Sequence, residues 1–229
     1  MENRNLSNGK PKPLLVYLVA IYAASLIAAN ILANNMLVFV RWTASAGILT
    51  FPITYILASV LAEVYGYKWA RRAAWLTLAL NGLMAGLIQL SIVLPQPDWW
   101  TYYGYGNRFA EAIGGTWRIV VASLTAFTIG KYVNDKIFSK LKGENPDLRG
   151  FTFRAMTSSI IGHVLDSSIF TLIAFAGIGP LTAIIPWGGI PEVIIVSVCL
   201  KWGYEWLALP LTIKITKKVR DYENKKLYS

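Results

Sequence analysis

The chain alternates between long apolar stretches and short polar connections. Six apolar stretches cover residues 14–36, 46–65, 73–94, 118–138, 155–178 and 189–213. Each is close to the ~20 residues that an α-helix needs to cross a bilayer. Since backbone groups in lipid must be hydrogen-bonded within the protein, we predict that all six are helices. The expected fold is an all-α membrane protein, a bundle of six transmembrane helices forming a single domain over residues 1–229.

Two of the connections are unusual. The connection before the last helix, GIGPLTAIIPWGGIPE, mixes prolines and glycines with apolar residues and carries no charge until its final glutamate. It predicts a re-entrant or broken segment, which is allowed at membrane depth only where protein or water covers it. The third connection holds five aromatic residues between Trp99 and Tyr105. They predict either a belt at the membrane interface or a lid over an entrance.

Basic residues concentrate in alternate connections. They lie before the first stretch, in residues 68–72, in residues 136–154 and after residue 213, whereas the other connections hold only Arg41, Arg108 and Arg118. By the positive-inside rule, this places both termini in the cytoplasm of a multi-pass protein of the cell (inner or plasma) membrane. The rule also accounts for the net charge of +10 better than a nucleic-acid-binding patch does, so we expect no direct nucleic-acid partner.

Composition excludes several classes of function. Charged residues make up only 15% of the chain, against 55% hydrophobic residues. One histidine and one cysteine supply neither a conventional zinc or haem site nor an internal disulfide. The sequence contains neither a nucleotide-binding glycine loop nor a hydrolase nucleophile motif. We therefore predict no enzyme activity, no cofactor and no metal; the expected partners are the lipid bilayer and a small molecule.

Four ionisable residues lie in the middle of apolar stretches. His163 and Asp166 are three residues apart in the fifth stretch, and Lys201 and Glu205 are four apart in the sixth; each pair shares a helix face. A charge at this depth costs roughly 2.5–3.5 kcal/mol on insertion scales, so such residues are candidates for function. Their shared depth favours a solvated central site. The alternative is that they only staple helices, with Lys201 paired to Glu205 or Asp166.

Other polar and aromatic residues extend this candidate site. Asn30 and Asn34 share a face of the first stretch, and Tyr55 and Ser59 share a face of the second. Phe170 lies one turn beyond Asp166. We expect these side chains to face the centre of the bundle.

Several motifs resemble the queuosine precursor transporter family, also called the vitamin uptake transporter family. They are TFPITYILASVLAEVYGYKWARR (Thr50–Arg72), ANILANN (Ala29–Asn35), NDKIFSKLK (Asn134–Lys142), GHVLDSSIF (Gly162–Phe170) and KWGYEWLALPLTIKI (Lys201–Ile215). The resemblance implies a six-helix inner-membrane carrier that imports 7-deazaguanine bases or their nucleoside for tRNA modification. The chain departs from the family pattern at Ser59 and His163, where we expect aspartate and glutamine; its substrate or coupling is expected to differ if these positions contact either.

This substrate class suggests a role for each candidate. A carboxylate of Glu205 or Asp166 would accept hydrogen bonds from the ring N–H and the exocyclic amine of the base, with Lys201 balancing the charge. The residues expected to meet the carbonyl and ring nitrogen are Asn30, Asn34 and His163. Those expected to stack on the base are Trp202, Tyr55, Trp187 and Phe170. Proton coupling would use Asp166, Glu205 or His163.

Three readings of the function remain open. The first is secondary or facilitated import of such a base. The second is a six-helix substrate-binding subunit that docks onto a separate ATP-driven module for vitamin uptake. The third is a scaffold or enzyme component in which the charges only pair helices. A homodimer is compatible with each of them.

Overall fold

The computed structural model describes residues 13–39, 41–141, 148–177 and 182–228. The predicted cytoplasmic N-terminal segment, residues 1–12, and the end of the predicted fifth helix, residue 178, lie outside these ranges. Within them the α-helices are α1 (Pro13–Leu32), α2 (Phe51–Tyr65), α3 (Tyr67–Val93), α4 (Asp98–Tyr102), α5 (Tyr105–Ile113), α6 (Thr116–Leu141), α7 (Leu148–Phe175) and α8 (Ile190–Tyr228). The strands β1 (Met36–Phe39) and β2 (Trp42–Ser45) form a hairpin, and 3₁₀ turns cover Ala46–Thr50 and Trp187–Gly189.

The helical character predicted from the sequence is confirmed. Five segments of the described residues are long and apolar enough to cross a membrane: Pro13–Leu32, Ala46–Tyr65, Tyr67–Val93, Tyr105–Gly130 and Trp187–Lys225. A shorter apolar helix covers Ile160–Phe175, within α7. These six segments follow the six predicted stretches in order. That all six cross the membrane and that both termini lie in the cytoplasm stay predictions.

The hairpin was not predicted, and the first helix ends earlier than expected. Helix α1 ends at Leu32, whereas the apolar pattern continues to residue 36. The chain then turns: the backbone N–H groups of Asn34 and Asn35 bond to the carbonyls of Ile31 and Leu32. The antiparallel register runs from Met36 opposite Ser45 to Phe39 opposite Trp42. A strand of four residues is too short for its hydropathy pattern to be distinguished from that of a helix end.

Helix α8 extends well beyond the predicted membrane stretch. It runs for 39 residues and contains Pro210 inside the helix, whereas the apolar pattern ends near residue 213. Its polar extension returns to the bundle through Glu223, which is buried. The Glu223 carboxylate accepts hydrogen bonds from the Tyr65 hydroxyl at 2.7 Å and from the backbone N–H of Leu14 at 3.2 Å. This carboxylate therefore ties together α8, the end of α2 and the start of α1.

The third connection forms two short helices, α4 and α5, that carry its aromatic residues. Trp99 and Trp100 make an edge-to-face contact at 5.4 Å, and the Trp100 ring lies 4.9 Å from that of Tyr105. Tyr102 and Tyr103 are exposed on the outside of the bundle. The choice between an interfacial belt and a lid stays open.

The segment before α8 is broken, as predicted. Among the described residues, the chain is not helical between Phe175 and Trp187. The buried guanidinium of Arg118 donates hydrogen bonds to three backbone carbonyls around this break. It donates to the carbonyls of Ile173 at 2.7 Å and Thr182 at 2.8 Å, and to that of Ala176. Arg118 therefore satisfies carbonyls that the end of α7 leaves without helical partners; whether the segment is re-entrant stays a prediction.

Two apolar clusters lie at opposite ends of α1. The first contains Leu15, Val60, Leu61, Val64, Tyr65, Ala73 and Val219. The second contains Ala33, Ile119, Ala122, Ala174, Phe175, Ala176 and Ile190. Since Leu15 is near the first residue of α1 and Ala33 follows its last, the two clusters close the bundle at its two ends and leave room for a polar site between them.

Candidate functional site

A central cavity of about 320 Å³ lies between α1, α2, α3, α6, α7 and α8. Its volume is at the lower end of the ~300–1,000 Å³ typical of small-molecule sites. Most of its wall is apolar, with polar side chains contributed by different elements. These polar side chains are Tyr22, Asn30, Ser45, Thr54, Tyr55, Ser123, Asp166, Ser167, Thr171, Ser197 and Lys201. The base of the β-hairpin, at Ser45 and Gly47, forms one end of the cavity.

Asp166 and Lys201 form an ion pair in the cavity wall. The ammonium of Lys201 donates to Asp166 Oδ2 at 2.6 Å and to the hydroxyl of Ser167 at 3.1 Å. The lysine side chain is 13% exposed and the aspartate 34%, so the carboxylate is the more accessible of the two groups. Among the residues that the structure describes, no partner is seen for Asp166 Oδ1. This oxygen is therefore available to a ligand.

His163 and Glu205 form a second pair between α7 and α8. His163 Nε2 lies 2.9 Å from Glu205 Oε2, and the Tyr55 hydroxyl donates to Glu205 Oε1 at 3.2 Å. Both carboxylate oxygens of Glu205 thus have protein partners. Neither His163 nor Glu205 lines the cavity, whereas Tyr55 does. Tyr55 therefore connects this second pair to the cavity.

Phe51 is a site residue that the sequence analysis missed. Its ring lies 6.4 Å from that of Tyr55, in a stacked arrangement, and 6.3 Å from that of His163, edge to face. The Lys201 ammonium lies 5.7 Å from the centre of the Phe51 ring, within the ~6 Å of a cation–π contact. The available signal was spacing, because Phe51 precedes Tyr55 by four residues and so shares its helix face.

The two asparagines of α1 have different surroundings. The buried Asn30 amide donates to Asn81 Oδ1 at 2.6 Å, and Asn81 in turn donates to the carbonyl of Thr77 at 2.9 Å. Asn30 lines the cavity. The Asn34 amide instead donates to Thr116 Oγ1 at 2.8 Å and joins α1 to the start of α6. Asn81, which fixes the orientation of Asn30, was not among the predicted residues.

Comparison with known proteins identifies the family. Residues 45–215 match the family described as "Putative vitamin uptake transporter". The chain belongs to this family. It is also 25% identical, over 188 residues, to a protein of Bacillus subtilis (strain 168) described as "Probable queuosine precursor transporter"; the alignment covers 79% of this chain and 75% of that protein. No solved structure matches the chain.

The chain is thus an integral membrane protein of a transporter family rather than an enzyme. A transporter needs a cavity with polar groups among its apolar helices, and the central cavity provides one. Within the described part of the chain, no three His, Cys, Asp or Glu side chains are grouped so that they could hold a metal ion.

The structure brings together most of the residues predicted for the transporter's site. Those that line the cavity are Asn30, Tyr55, Asp166, Phe170 and Lys201. His163 and Glu205 lie directly behind this wall, joined to it through Tyr55. The pairing of Lys201 with Asp166, one of the two pairings expected if the charges staple helices, is present.

Besides His163 and Glu205, four predicted residues lie outside the cavity wall. Asn34 is engaged with Thr116, and Ser59 contacts the Tyr55 hydroxyl from the next turn of α2. Trp202 is 41% exposed and Trp187 is 59% exposed. Trp202 directly follows Lys201 and so points about 100° away from it around the helix. In this conformation neither tryptophan can stack on a molecule in the cavity.

Proposed function

We propose that this transporter imports queuosine precursors, namely 7-cyano- or 7-aminomethyl-7-deazaguanine, or queuine or queuosine, by secondary or facilitated transport. The description of the Bacillus subtilis relative as a probable queuosine precursor transporter supports the substrate class. The observation that carries the proposal is a single carboxylate, Asp166, held against Lys201 in the wall of a cavity sized for a small molecule.

Asp166 is the proposed recognition group for the base. A guanine-like ring presents a ring N–H beside an exocyclic amine, and a carboxylate accepts from both at once. Asp166 lines the cavity, its Oδ1 has no partner among the described residues, and its Oδ2 can accept a second hydrogen bond besides that from Lys201. The Asn30 amide would meet the carbonyl edge of the base, while Phe51 and Phe170 would pack on its faces. Glu205, which was an equal candidate for this role, already has a partner at each oxygen.

The His163–Glu205 pair is the proposed site of proton coupling. An imidazole can both take up and release a proton, and that of His163 lies 2.9 Å from the Glu205 carboxylate. A proton taken up here would change the charge next to Tyr55, which lines the cavity and donates to Glu205. Substrate and proton would then bias the same helices, α2, α7 and α8.

The remaining topology also belongs to the proposal. We place six spans in the cell membrane with both termini in the cytoplasm, on the evidence of the alternating basic connections. On this orientation the hairpin lies on the outer side, and the turn between α2 and α3 lies on the cytoplasmic side.

The first test is a ligand-stabilisation panel on the detergent-solubilised protein. A deazaguanine base that binds the folded state should raise the melting temperature. At a concentration about one hundred times its dissociation constant, it adds roughly 2.7 kcal/mol to the free energy of unfolding. Purines such as adenine, which lack the paired donors, serve as controls. Stabilisation by a vitamin but by no deazaguanine would contradict the proposed substrate.

The second test measures uptake of the stabilising ligand into liposomes that contain only this protein, with and without a pH gradient. Uptake by the protein alone supports a secondary or facilitated transporter, and its acceleration by an inward proton gradient supports coupling. Binding without any uptake would instead favour the substrate-binding subunit of an ATP-driven system.

A further inference from the structure

A second cavity of about 500 Å³ adjoins the central one. We call it the vestibule. Helices α1, α2, α3 and α6 line it, and it lies toward the turn at Gly66 that joins α2 to α3. Its outer wall carries Tyr67, Arg71, Trp75 and Tyr132, all of which are exposed. The vestibule therefore opens at the end of the bundle that carries the basic residues 68–72.

Four residues belong to the walls of both the central cavity and the vestibule. They are Tyr22, Ala58, Ala74 and Phe127, one from each of α1, α2, α3 and α6. We call this ring the neck. Two of its members have the smallest chiral side chain and two are aromatic. The two alanines leave more room between α2 and α3 than larger side chains would, and the aromatic rings complete the neck from α1 and α6.

The opposite end of the central cavity is closed by close packing. At Gly47 an added Cβ would lie 2.7 Å from the carbonyl oxygen of Ala29, so the 3₁₀ turn after the hairpin is pressed against α1. The hairpin is also fixed to α8, because the backbone N–H of Thr43 donates to Glu192 Oε1 at 2.8 Å. The hairpin end of the central cavity is thus closely packed, whereas the neck joins the cavity to the vestibule.

We infer that the neck is the passage between the central site and the vestibule, and that Ala58 and Ala74 set its width. The identity of the cargo rests on the proposed function. The evidence for the passage is the set of four residues that line both cavities. The rate of transport then depends on two residues that make no polar contact with the cargo.

Helices α2 and α3 supply matched controls. Ala62 follows Ala58 by four residues, and Ala70 precedes Ala74 by four, so each pair shares one helix face. Ala62 and Ala70 line the vestibule but not the central cavity. Replacing each alanine with leucine therefore adds the same volume either at the neck or one turn beyond it.

The transport test compares these four variants in liposomes. Ala58→Leu and Ala74→Leu should lower the uptake rate by a factor about ten times larger than the factor by which they lower ligand affinity, as measured by thermal stabilisation. The reason is that added methylene groups close a tight passage. Ala62→Leu and Ala70→Leu should leave uptake near the level of the unmodified protein. Equal effects at all four positions, or full uptake by both neck variants, would overturn the inference.

A thiol-labelling test needs no cargo and so separates a failure of this inference from a failure of the proposed function. In a Cys199→Ser background, Ser123→Cys places a thiol on the central cavity, and Thr128→Cys places one on the vestibule. A membrane-impermeant methanethiosulfonate reagent, applied to vesicles from the side of the α2–α3 turn, should modify both. Ala58→Leu and Ala74→Leu should slow labelling at position 123 and leave position 128 unchanged.

Phe127→Ala provides a test in the opposite direction and covers the case in which the leucine variants fail to insert. Removing this ring widens the neck, so labelling at position 123 should become faster while labelling at position 128 stays the same. An unchanged rate at position 123 in the Phe127→Ala protein would overturn the assignment of the neck.

Discussion

Two pairs of side chains join α7 to α8 about one helical turn apart, and they differ in what they face. The Asp166–Lys201 pair, at 2.6 Å, lies in the wall of the central cavity. The His163–Glu205 pair, at 2.9 Å, lies behind that wall and is linked to it by Tyr55. Both pairs combine a carboxylate with a nitrogen base, and both lie in the middle of the bundle.

The two pairs differ in how many of their carboxylate oxygens have protein partners, although they lie at a similar depth along α7 and α8. Asp166 has one oxygen without a partner among the described residues, whereas both oxygens of Glu205 are engaged by protein groups. Their bases differ as well: Lys201 has an ammonium, which only donates hydrogen bonds, whereas His163 has an imidazole, which can donate or accept. On the proposed function, the first pair binds the cargo and the second responds to protons.

Asp166→Asn should have the largest effect. The amide replaces a charged acceptor with a group that itself carries N–H donors, so the hydrogen bonds from the base are lost. Since a hydrogen bond to a charged group contributes roughly 1.5–3 kcal/mol, ligand affinity should fall about 10- to 100-fold, as measured by the ligand-dependent shift in melting temperature.

The same substitution leaves Lys201 without its carboxylate, which can destabilise the fold independently of binding. The double variant Asp166→Asn, Lys201→Met removes both charges and serves as the control. It should regain thermal stability relative to Asp166→Asn and still bind poorly. Recovery of binding in the double variant would show that Asp166 acts through the fold and not on the ligand.

Glu205→Gln should have an intermediate effect that falls on transport more than on binding. The amide still accepts the Tyr55 hydrogen bond but no longer forms a charged pair with His163. We expect uptake to fall about tenfold, in line with the loss of a charge-assisted hydrogen bond, and its stimulation by a proton gradient to disappear. Measuring initial uptake rates from pH 5.5 to 8 would show both changes.

Glu63→Gln is the matched control for this substitution. Glu63 is also a carboxylate of the α2–α8 region, but it is 69% exposed and lies 3.8 Å from Arg220 at the surface. Its replacement should leave the pH profile unchanged. If Glu205→Gln lowered binding as much as Asp166→Asn does, the division of roles between the two pairs would be wrong.

Much of the fold could be predicted because hydropathy reports directly on membrane-length helices. The second predicted stretch, Ala46–Tyr65, coincides with an apolar segment of the structure. The hairpin could not be predicted, because its strands of four residues continue the apolar pattern of α1. The length of α8 was also missed, because its last turns are polar and are held by the buried Glu223 rather than by lipid.

From the sequence, the site could be predicted only as a position along the helices and a set of helix faces. Spacing placed His163 with Asp166 and Lys201 with Glu205, but the partners across the α7–α8 contact depend on how each helix is rotated, which the sequence does not state. The rotation of α8 also excludes Trp202 from the cavity wall, whereas Phe51, on α2, shares the helix face of Tyr55 and could have been found from that spacing. Asn81 was missed because a single asparagine in an apolar helix gives no periodic signal, although it orients Asn30 at 2.6 Å.

Tyr55→Phe should have the smallest effect and tests the link between the two pairs. The substitution keeps the ring that stacks beside Phe51 and removes only the hydroxyl that donates to Glu205. Loss of one such hydrogen bond corresponds to about 1 kcal/mol, or roughly a fivefold change in uptake rate. Because the hydroxyl joins the cavity to the His163–Glu205 pair, the pH profile of uptake should flatten while ligand binding at constant pH stays nearly the same. Tyr17→Phe, at an exposed position of α1, is the control and should change neither; an equal loss of binding and transport in Tyr55→Phe would place this hydroxyl on the cargo instead.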